Sequence, residues 1–129
     1  MSYPIALILS PTRELAQQIY DECIKLVHDT GIIPVCLYGG VPLNDQFNAL
    51  RKGVDIIIAT PGRLNDFLSR NLISLSKVKT MVMDEADRML DMGFTPQITQ
   101  ICTNYDLPPK DVRQNVMFSA TFDKDIVKI

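Results

Sequence analysis

The chain has 129 residues, 47% hydrophobic and 22% charged, with a formal net charge of −2 and an isoelectric point near 5.2. That length suits one domain burying roughly two-thirds of the surface its unfolded form exposes, and a composition without repeats or low-complexity tracts excludes a disordered or fibrous chain. The slight acidity excludes a broadly basic surface wrapped by nucleic acid, so any such contact must be local; no apolar run reaches the roughly 20 residues of a membrane span, no signal-peptide pattern opens the chain, and an intracellular protein is expected.

The first apolar run, Ile5 to Leu9, predicts a strand. From Thr12 a helical pattern follows, with Leu15, Ala16, Ile19, Cys23, Leu26 and Val27 on one face, Glu14 in the first turn and Gly31 as the stop. Val35 to Tyr38 predicts a second strand, and Pro42 then opens a helix placing Leu43, Phe47 and Leu50 on one side before Gly53. Asp55 to Ala59 is a third strand, followed by a helix from Pro61 that carries Leu64, Phe67 and Leu68. Thr80 to Met83 is a fourth strand, Phe94 to Tyr105 a further helix, Asn104 to Gln114 with Pro108 and Pro109 a loop, and Val116 to Phe118 the fifth strand, ahead of a polar helix from Asp123 to Lys128.

The strand runs lack the in-out alternation of half-exposed strands, which predicts parallel strands covered on both faces. Strand and helix in regular alternation predict an α/β fold with right-handed crossovers. Cys23, Cys36 and Cys102 form no CxxC pair and are expected as buried thiols, while His28, near the end of a helix, suits the helix dipole better than a metal.

Ligands of parallel sheets bind at the carboxyl ends of the strands. The stretches that fall there are Ser10 to Arg13, Gly39-Gly40, Thr60 to Arg63, Asp84 to Asp87 and Ser119 to Thr121. The strongest is the fourth, where the apolar Met81-Val82-Met83 delivers Asp84-Glu85-Ala86-Asp87. In nucleotide hydrolases an acid in this place holds Mg²⁺ through its water shell while the next handles the attacking water. Successive side chains leave a strand in different directions, so Asp84 could serve the metal while Glu85 faces a γ-phosphate. An isolated acid pair after a strand is more simply the start of a helix, whose dipole favours it. Three acids within four residues repel one another unless a cation or partner resolves the cluster, which favours hydrolysis.

Ser10-Pro11-Thr12-Arg13-Glu14 and Thr60-Pro61-Gly62-Arg63 share a design: a strand end, a hydroxyl residue beside a proline, and a helix with Arg in its first turn. Free N–H groups and the dipole at such a start favour a phosphate, and the Arg can add a charge-assisted hydrogen bond. Gly62, without a Cβ, lets a sugar-phosphate backbone approach closely. Either site alone is equally an N-cap with an exposed Arg; their repetition at one sheet edge favours phosphate. Gly39-Gly40 adds a third point of close approach, although a glycine pair is usually just a turn. Ser119 and Thr121 offer hydroxyls that could bond to the acidic cluster across the neighbouring strand end, or could cap the segment that follows.

Pro11-Thr12-Arg13-Glu14-Leu15-Ala16, Gly39-Gly40, Thr60-Pro61-Gly62-Arg63, Asp84-Glu85-Ala86-Asp87 and Ser119-Ala120-Thr121, in this order and at these spacings, together resemble the DEAD-box RNA helicase family over nearly the whole chain. Arg88-Met89-Leu90-Asp91-Met92-Gly93-Phe94, Pro96-Gln97-Ile98, the double-proline loop and Met117-Phe118-Ser119-Ala120-Thr121-Phe122 resemble its Vasa-like branch, with Asp123 where many members have proline. The resemblance implies a RecA-like fold of the P-loop NTPase type: a parallel sheet with helices on both faces, here incomplete. It implies ATP and Mg²⁺ as cofactors, with Asp84 holding Mg²⁺ through water, Glu85 positioning or activating the hydrolytic water, and Asp87 linking to Ser119 and Thr121 to couple nucleotide state to domain closure. Pro11, Thr12, Arg13, Gly40, Thr60, Gly62 and Arg63 would lie along a single RNA strand, touching phosphates and sugars and hence blind to base sequence.

No GxxxxGK[ST] loop occurs among these residues, nor the glutamine segment that reads adenine in this family, nor a second, C-terminal RecA-like domain with its arginine fingers. The expectation is therefore a partial first RecA-like domain over residues 1–129, inactive in isolation and with an unpaired sheet edge and uncovered apolar surface. The parent protein would be an ATP-dependent RNA helicase that unwinds duplexes or remodels ribonucleoproteins. The alternative from another class is a non-catalytic RNA-binding or scaffold module of the same fold.

Overall fold

The five apolar runs form β1 (Ala6–Leu9), β2 (Pro34–Leu37), β3 (Ile56–Ala59), β4 (Thr80–Met83) and β5 (Gln114–Met117) in a computed structural model that describes residues 1–121. Between them lie α1 (Arg13–Leu26), α2 (Leu43–Arg51), α3 (Pro61–Ser69), α4 (Ala86–Asp91) and α5 (Thr95–Thr103). The segment from Asp123 to Lys128, read as a polar helix, lies outside the described residues.

Boundaries move for local reasons. β2 starts one residue early, at Pro34, a position proline tolerates because it opens an edge strand. β5 starts two residues before its apolar run because the Gln114 N–H bonds to the Lys79 carbonyl at 2.7 Å and carries the pairing with β4 outward. α1 stops at Leu26, short of Gly31: Val27 caps it by donating to the Cys23 carbonyl at 3.0 Å, and Asp29 then takes a φ of 61°. His28 lies just past that cap, on the surface beside Asp29. α4, absent from the sequence reading as a separate element, begins directly behind the acids.

All strand pairs are parallel, in the order β2-β3-β1-β4-β5. The register sets Leu9 level with Ala59 and Met83, and Ile8 level with Ile58 and Val82, so alternate residues divide between two faces. One face carries Leu7, Leu9, Leu37, Ile57, Ala59, Met81 and Met83 into a continuous core with Leu50 of α2, Leu64 and Phe67 of α3, Met89 of α4 and Ile98 and Ile101 of α5. The other is covered by α1 over β2 and β3, where Ile58 and Ala16 are fully buried.

Coverage of both faces, expected for every strand, is therefore met only in part. Ile8 and Val82 are half-buried, and together with Ile19 and Phe118 they line a groove of about 360 Å³ that no described element fills. α1 packs to one side of the sheet centre, so these central strands keep one apolar face open. The cysteines also depart from expectation, all three being half-buried. Burial, with the Asp21 charge adding, pushes the Cys36 thiol up to about 12, and burial raises Cys23 and Cys102 as well. No helix among the described residues is long and apolar enough to cross a membrane.

Candidate functional site

A parallel sheet brings the carboxyl ends of its strands to one edge. In spatial order that edge presents Gly39-Gly40 after β2, Thr60 to Arg63 after β3, Ser10 to Arg13 after β1, Asp84 to Asp87 after β4 and Ser119 to Thr121 after β5. With neighbouring strands about 4.8 Å apart, the glycine- and arginine-bearing stretches occupy three adjacent strand ends and the acids and hydroxyls occupy the next two.

In the first group Thr12 is the N-cap of α1, its Oγ1 accepting from the Leu15 N–H at 3.2 Å, so the capping explanation holds for that hydroxyl. Pro11 is buried behind it. Arg13 lays its guanidinium over the Tyr38 ring, 4.8 Å from the centroid, and its Nη1 lies 3.8 Å from where a Cβ on Gly40 would stand. Gly40 itself has φ +86°, which a side chain would strain. Thr60 is the N-cap of α3 without a side-chain cap bond, and Pro61 supplies the first helical position. Gly62 is exposed, with nothing within 4 Å of a would-be Cβ, so no internal contact demands glycine there.

Arg63 turns its fork inward. Its Nη1 donates to Gln46 Oε1 at 3.2 Å and its Nη2 to the Val41 carbonyl at 3.1 Å, while Gln46 Nε2 donates to the Tyr38 carbonyl at 2.9 Å. Arg13 and Arg63 thus reach the same Gly39-Gly40-Val41 loop from two sides. Sequence reasoning passed over Gln46, yet a signal was present: it falls three residues after Leu43 and four before Leu50, on the apolar face of α2.

In the second group Asp84 continues the ladder, its N–H donating to the Leu9 carbonyl at 2.9 Å, and its Oδ1 accepts from the Glu85 N–H at 3.0 Å. Glu85 sits at φ 50°, ψ 52°, a left-handed conformation that costs a non-glycine residue about 1–2 kcal/mol, and its Oε2 pairs with Arg88 Nη1 at 3.3 Å across a largely solvated gap. The strand ends of β4 and β5 are laced together: Phe118 N–H to the Met83 carbonyl at 2.9 Å, Ala86 N–H to the Phe118 carbonyl at 3.0 Å, and Asp87 N–H to Ser119 Oγ at 3.2 Å.

The Thr121 N–H also donates to Ser119 Oγ, at 3.4 Å. Asp87 and Thr121 therefore meet the Ser119 hydroxyl through their backbone N–H groups, and among the described residues no hydrogen bond joins the Asp87 or Thr121 side chain to it. Asp84, Glu85, Asp87, Phe118 and Ser119 line an open pocket of about 280 Å³. Burial, with the neighbouring Glu85 charge adding, raises the Asp84 carboxyl above the usual aspartate range, against the lowering effect of the hydrogen bond from Glu85. No cluster of three or more His, Cys, Asp or Glu converges on a metal position among the described residues.

The family model of DEAD/DEAH box helicases matches residues 1–129. The chain belongs to this family. A crystal structure of the yeast DEAD-box splicing factor Prp28 is similar to it at 42% identity and a TM-score of 0.89, covering 98% of this chain and 30% of that one. The five-stranded parallel sheet with its helices is thus the RecA-like fold of a DEAD-box domain, and the chain spans 30% of the length of that relative. In this DEAD-box domain the stretch that names the family runs from the end of β4 through left-handed Glu85 into the first two residues of α4.

Proposed function

We propose that this domain supplies the acidic half of an ATPase centre and a phosphate-gripping rim to an intracellular ATP-dependent RNA helicase, which couples hydrolysis to RNA binding and to duplex unwinding or ribonucleoprotein remodelling. The observation that carries the reading is the partition of one sheet edge: Gly40, Arg13 and Arg63 gather at the loop after β2, while Asp84, Glu85 and Ser119 gather at the ends of β4 and β5.

On the rim, the starts of α1 and α3 offer N–H groups and a positive dipole end. Arg13 adds charge, and the bare surface at Gly62 and Gly40 leaves room for a sugar-phosphate strand. Thr12 and Thr60, both half-buried, complete that surface, with buried Pro11 expected to contribute at its edge. Contacts of this kind serve any base sequence, and the local placement of two arginines suits a chain whose net charge is −2.

At the acidic end the residues fit Mg²⁺. Mg²⁺ accompanying a nucleotide keeps several waters and takes one or two carboxylates, and Asp84 is one half-buried carboxylate whose charged form is disfavoured by burial and by the Glu85 charge, with the Glu85 N–H offsetting only part of this. When bound with ATP, the ion would neutralise charge on the phosphates. Glu85, aimed by its unusual backbone and held by a surface pair with Arg88 that is worth at most about 1 kcal/mol, would release that pair and orient the hydrolytic water. Ser119, receiving N–H groups from Asp87 and Thr121, would report nucleotide state to a C-terminal RecA-like partner domain. The phosphate-binding loop would come from outside these residues, and the isolated 129-residue chain would have negligible ATPase activity.

The test is Glu85→Gln in the full-length protein. RNA-stimulated ATP turnover should fall to background while ATP-dependent RNA binding persists; hydrolysis at the wild-type rate would refute the assignment.

A further inference from the structure

Gln46 is one of the few buried polar residues among those described, 7% exposed on the inner face of α2. Its amide uses both ends. Nε2 donates to the carbonyl of Tyr38, the residue before Gly39-Gly40, at 2.9 Å, and Oε1 accepts from Arg63 Nη1 at 3.2 Å. Arg63 in turn donates through Nη2 to the carbonyl of Val41, the residue after the two glycines, at 3.1 Å. The orientation of the amide is fixed by chemistry: flipped, it would set oxygen against the Tyr38 carbonyl oxygen and an N–H against the guanidinium.

We infer that Gln46 is a positioning residue for the nucleic-acid rim, locking the Gly39-Gly40-Val41 loop to the first turn of α3 so that two phosphate-facing stretches are presented as one preformed surface. The inference rests on the reading of that rim as an RNA grip. Two consecutive glycines make the loop the most freely moving segment of the rim when untethered. Here it is pinned at Tyr38 and at Val41 by two side chains that also hold each other. Without the amide, the Tyr38 carbonyl and one arm of Arg63 lose their partners, Arg63 is free to turn toward water, and the loop must be ordered by the ligand at the ligand's cost. The effect falls on RNA binding and leaves the acidic end, on β4 and β5, untouched.

The experiment uses the full-length protein, with Gln46→Met as an unbranched, helix-compatible replacement of similar length and Gln46→Ala beside it. Single-stranded RNA is titrated while ATPase rate and melting temperature are followed. The RNA concentration for half-maximal stimulation should rise about tenfold, equivalent to about 1.4 kcal/mol, with the rate at saturating RNA changed less than about twofold. Arg63→Ala should show the same split, and adding Gln46→Met to it should give no further loss, because the two side chains act as one unit.

Wild-type RNA dependence in Gln46→Met, losses that multiply in the double variant, or a fall in saturated rate that tracks the melting temperature would each overturn the positioning role. If RNA fails to stimulate the wild-type protein at all, the functional reading itself fails and this inference falls with it. That result is distinct from a stimulated wild type with an indifferent Gln46.

Discussion

The two halves of the functional edge are built to different degrees of completion. At the ends of β2 and β3 polar groups satisfy one another: Gln46, Arg63 and the Tyr38 and Val41 carbonyls form a closed set with Arg13 stacked on Tyr38 beside it, and the buried Ser10 hydroxyl at the end of β1 is the group on this side left without a partner among the described residues. At the ends of β4 and β5 the groups are left wanting. Asp84 is half-buried beside an open apolar groove, Glu85 has a strained backbone and a carboxylate paired only with a solvated Arg88 among the described residues, and the Asp87 carboxylate makes no hydrogen bond among them. A surface that only grips can be finished in advance, because its ligand brings nothing that the protein must first rearrange. A centre that handles a metal and a triphosphate has to keep its carboxylates uncompensated until those charges arrive.

The sharpest way to break this comparison is to damage one half and look for injury in the other. Arg13→Ala removes the stacked guanidinium beside Gly40, and a lost charge-assisted contact to phosphate is worth about 1.5–3 kcal/mol. The dissociation constant for single-stranded RNA, measured by fluorescence anisotropy of the full-length protein, should rise at least about tenfold. Affinity for ATP without RNA should hold. A parallel loss of ATP affinity would show that the halves are not separable.

How far each half could be read from sequence follows the same division. Strand ends, glycine pairs and runs of acids are one-dimensional patterns, so Asp84, Glu85, Gly40 and Gly62 stood out by residue type and by following an apolar run. The closure of the rim stood out less, because it joins residues 17 positions apart in Gln46 and Arg63 and 22 apart in Arg63 and Val41, and only the fold brings them together. The backbone of Glu85 gave no sign, since glutamate has no preference for a left-handed turn and nothing in its residue type marks a position at φ 50°. Coverage of the sheet was overestimated because an apolar run without alternation says that both faces are greasy, not that both have a partner, and Ile8 and Val82 show the difference.

Gly62 sharpens the comparison from the rim side. It occupies the second position of α3 with open space around it, so Gly62→Ala should stabilise the fold by about 0.5–1 kcal/mol, the usual gain in a helix. The added methyl points into the space a phosphate strand would use, and RNA affinity should fall about threefold, under 1 kcal/mol. Denaturant titration and RNA binding on one preparation read both. Greater stability with unchanged affinity would remove Gly62 from the contact surface.

At the acidic end the same trade appears as strain. Glu85→Gly relieves a left-handed residue and gives up only an exposed pair with Arg88, so the denaturant midpoint should shift by about 1 kcal/mol in favour of the folded state. Turnover in the full-length protein should vanish. A destabilised variant would mean that the pair, or the packing of the Glu85 stem, outweighs the backbone cost.

The smallest effect concerns the charge on Asp84. Its folded-state carboxyl is raised by burial, with Glu85 adding, so the ionised form is less welcome in the fold than in the unfolded chain. A raised carboxyl contributes stability that is complete below the ordinary aspartate value of about 3.9 and is lost as pH climbs through the raised one. Asp84→Asn keeps an oxygen to accept the Glu85 N–H yet has no proton to lose. The two proteins should therefore melt together at low pH and diverge as pH rises toward neutrality, with the variant the more stable. Scanning calorimetry without divalent cation reads the gap directly, because every other titrating group is common to both. If the wild type is the more stable at neutral pH, the carboxylate is already compensated within the chain, and the contrast between a finished rim and a waiting acidic centre disappears.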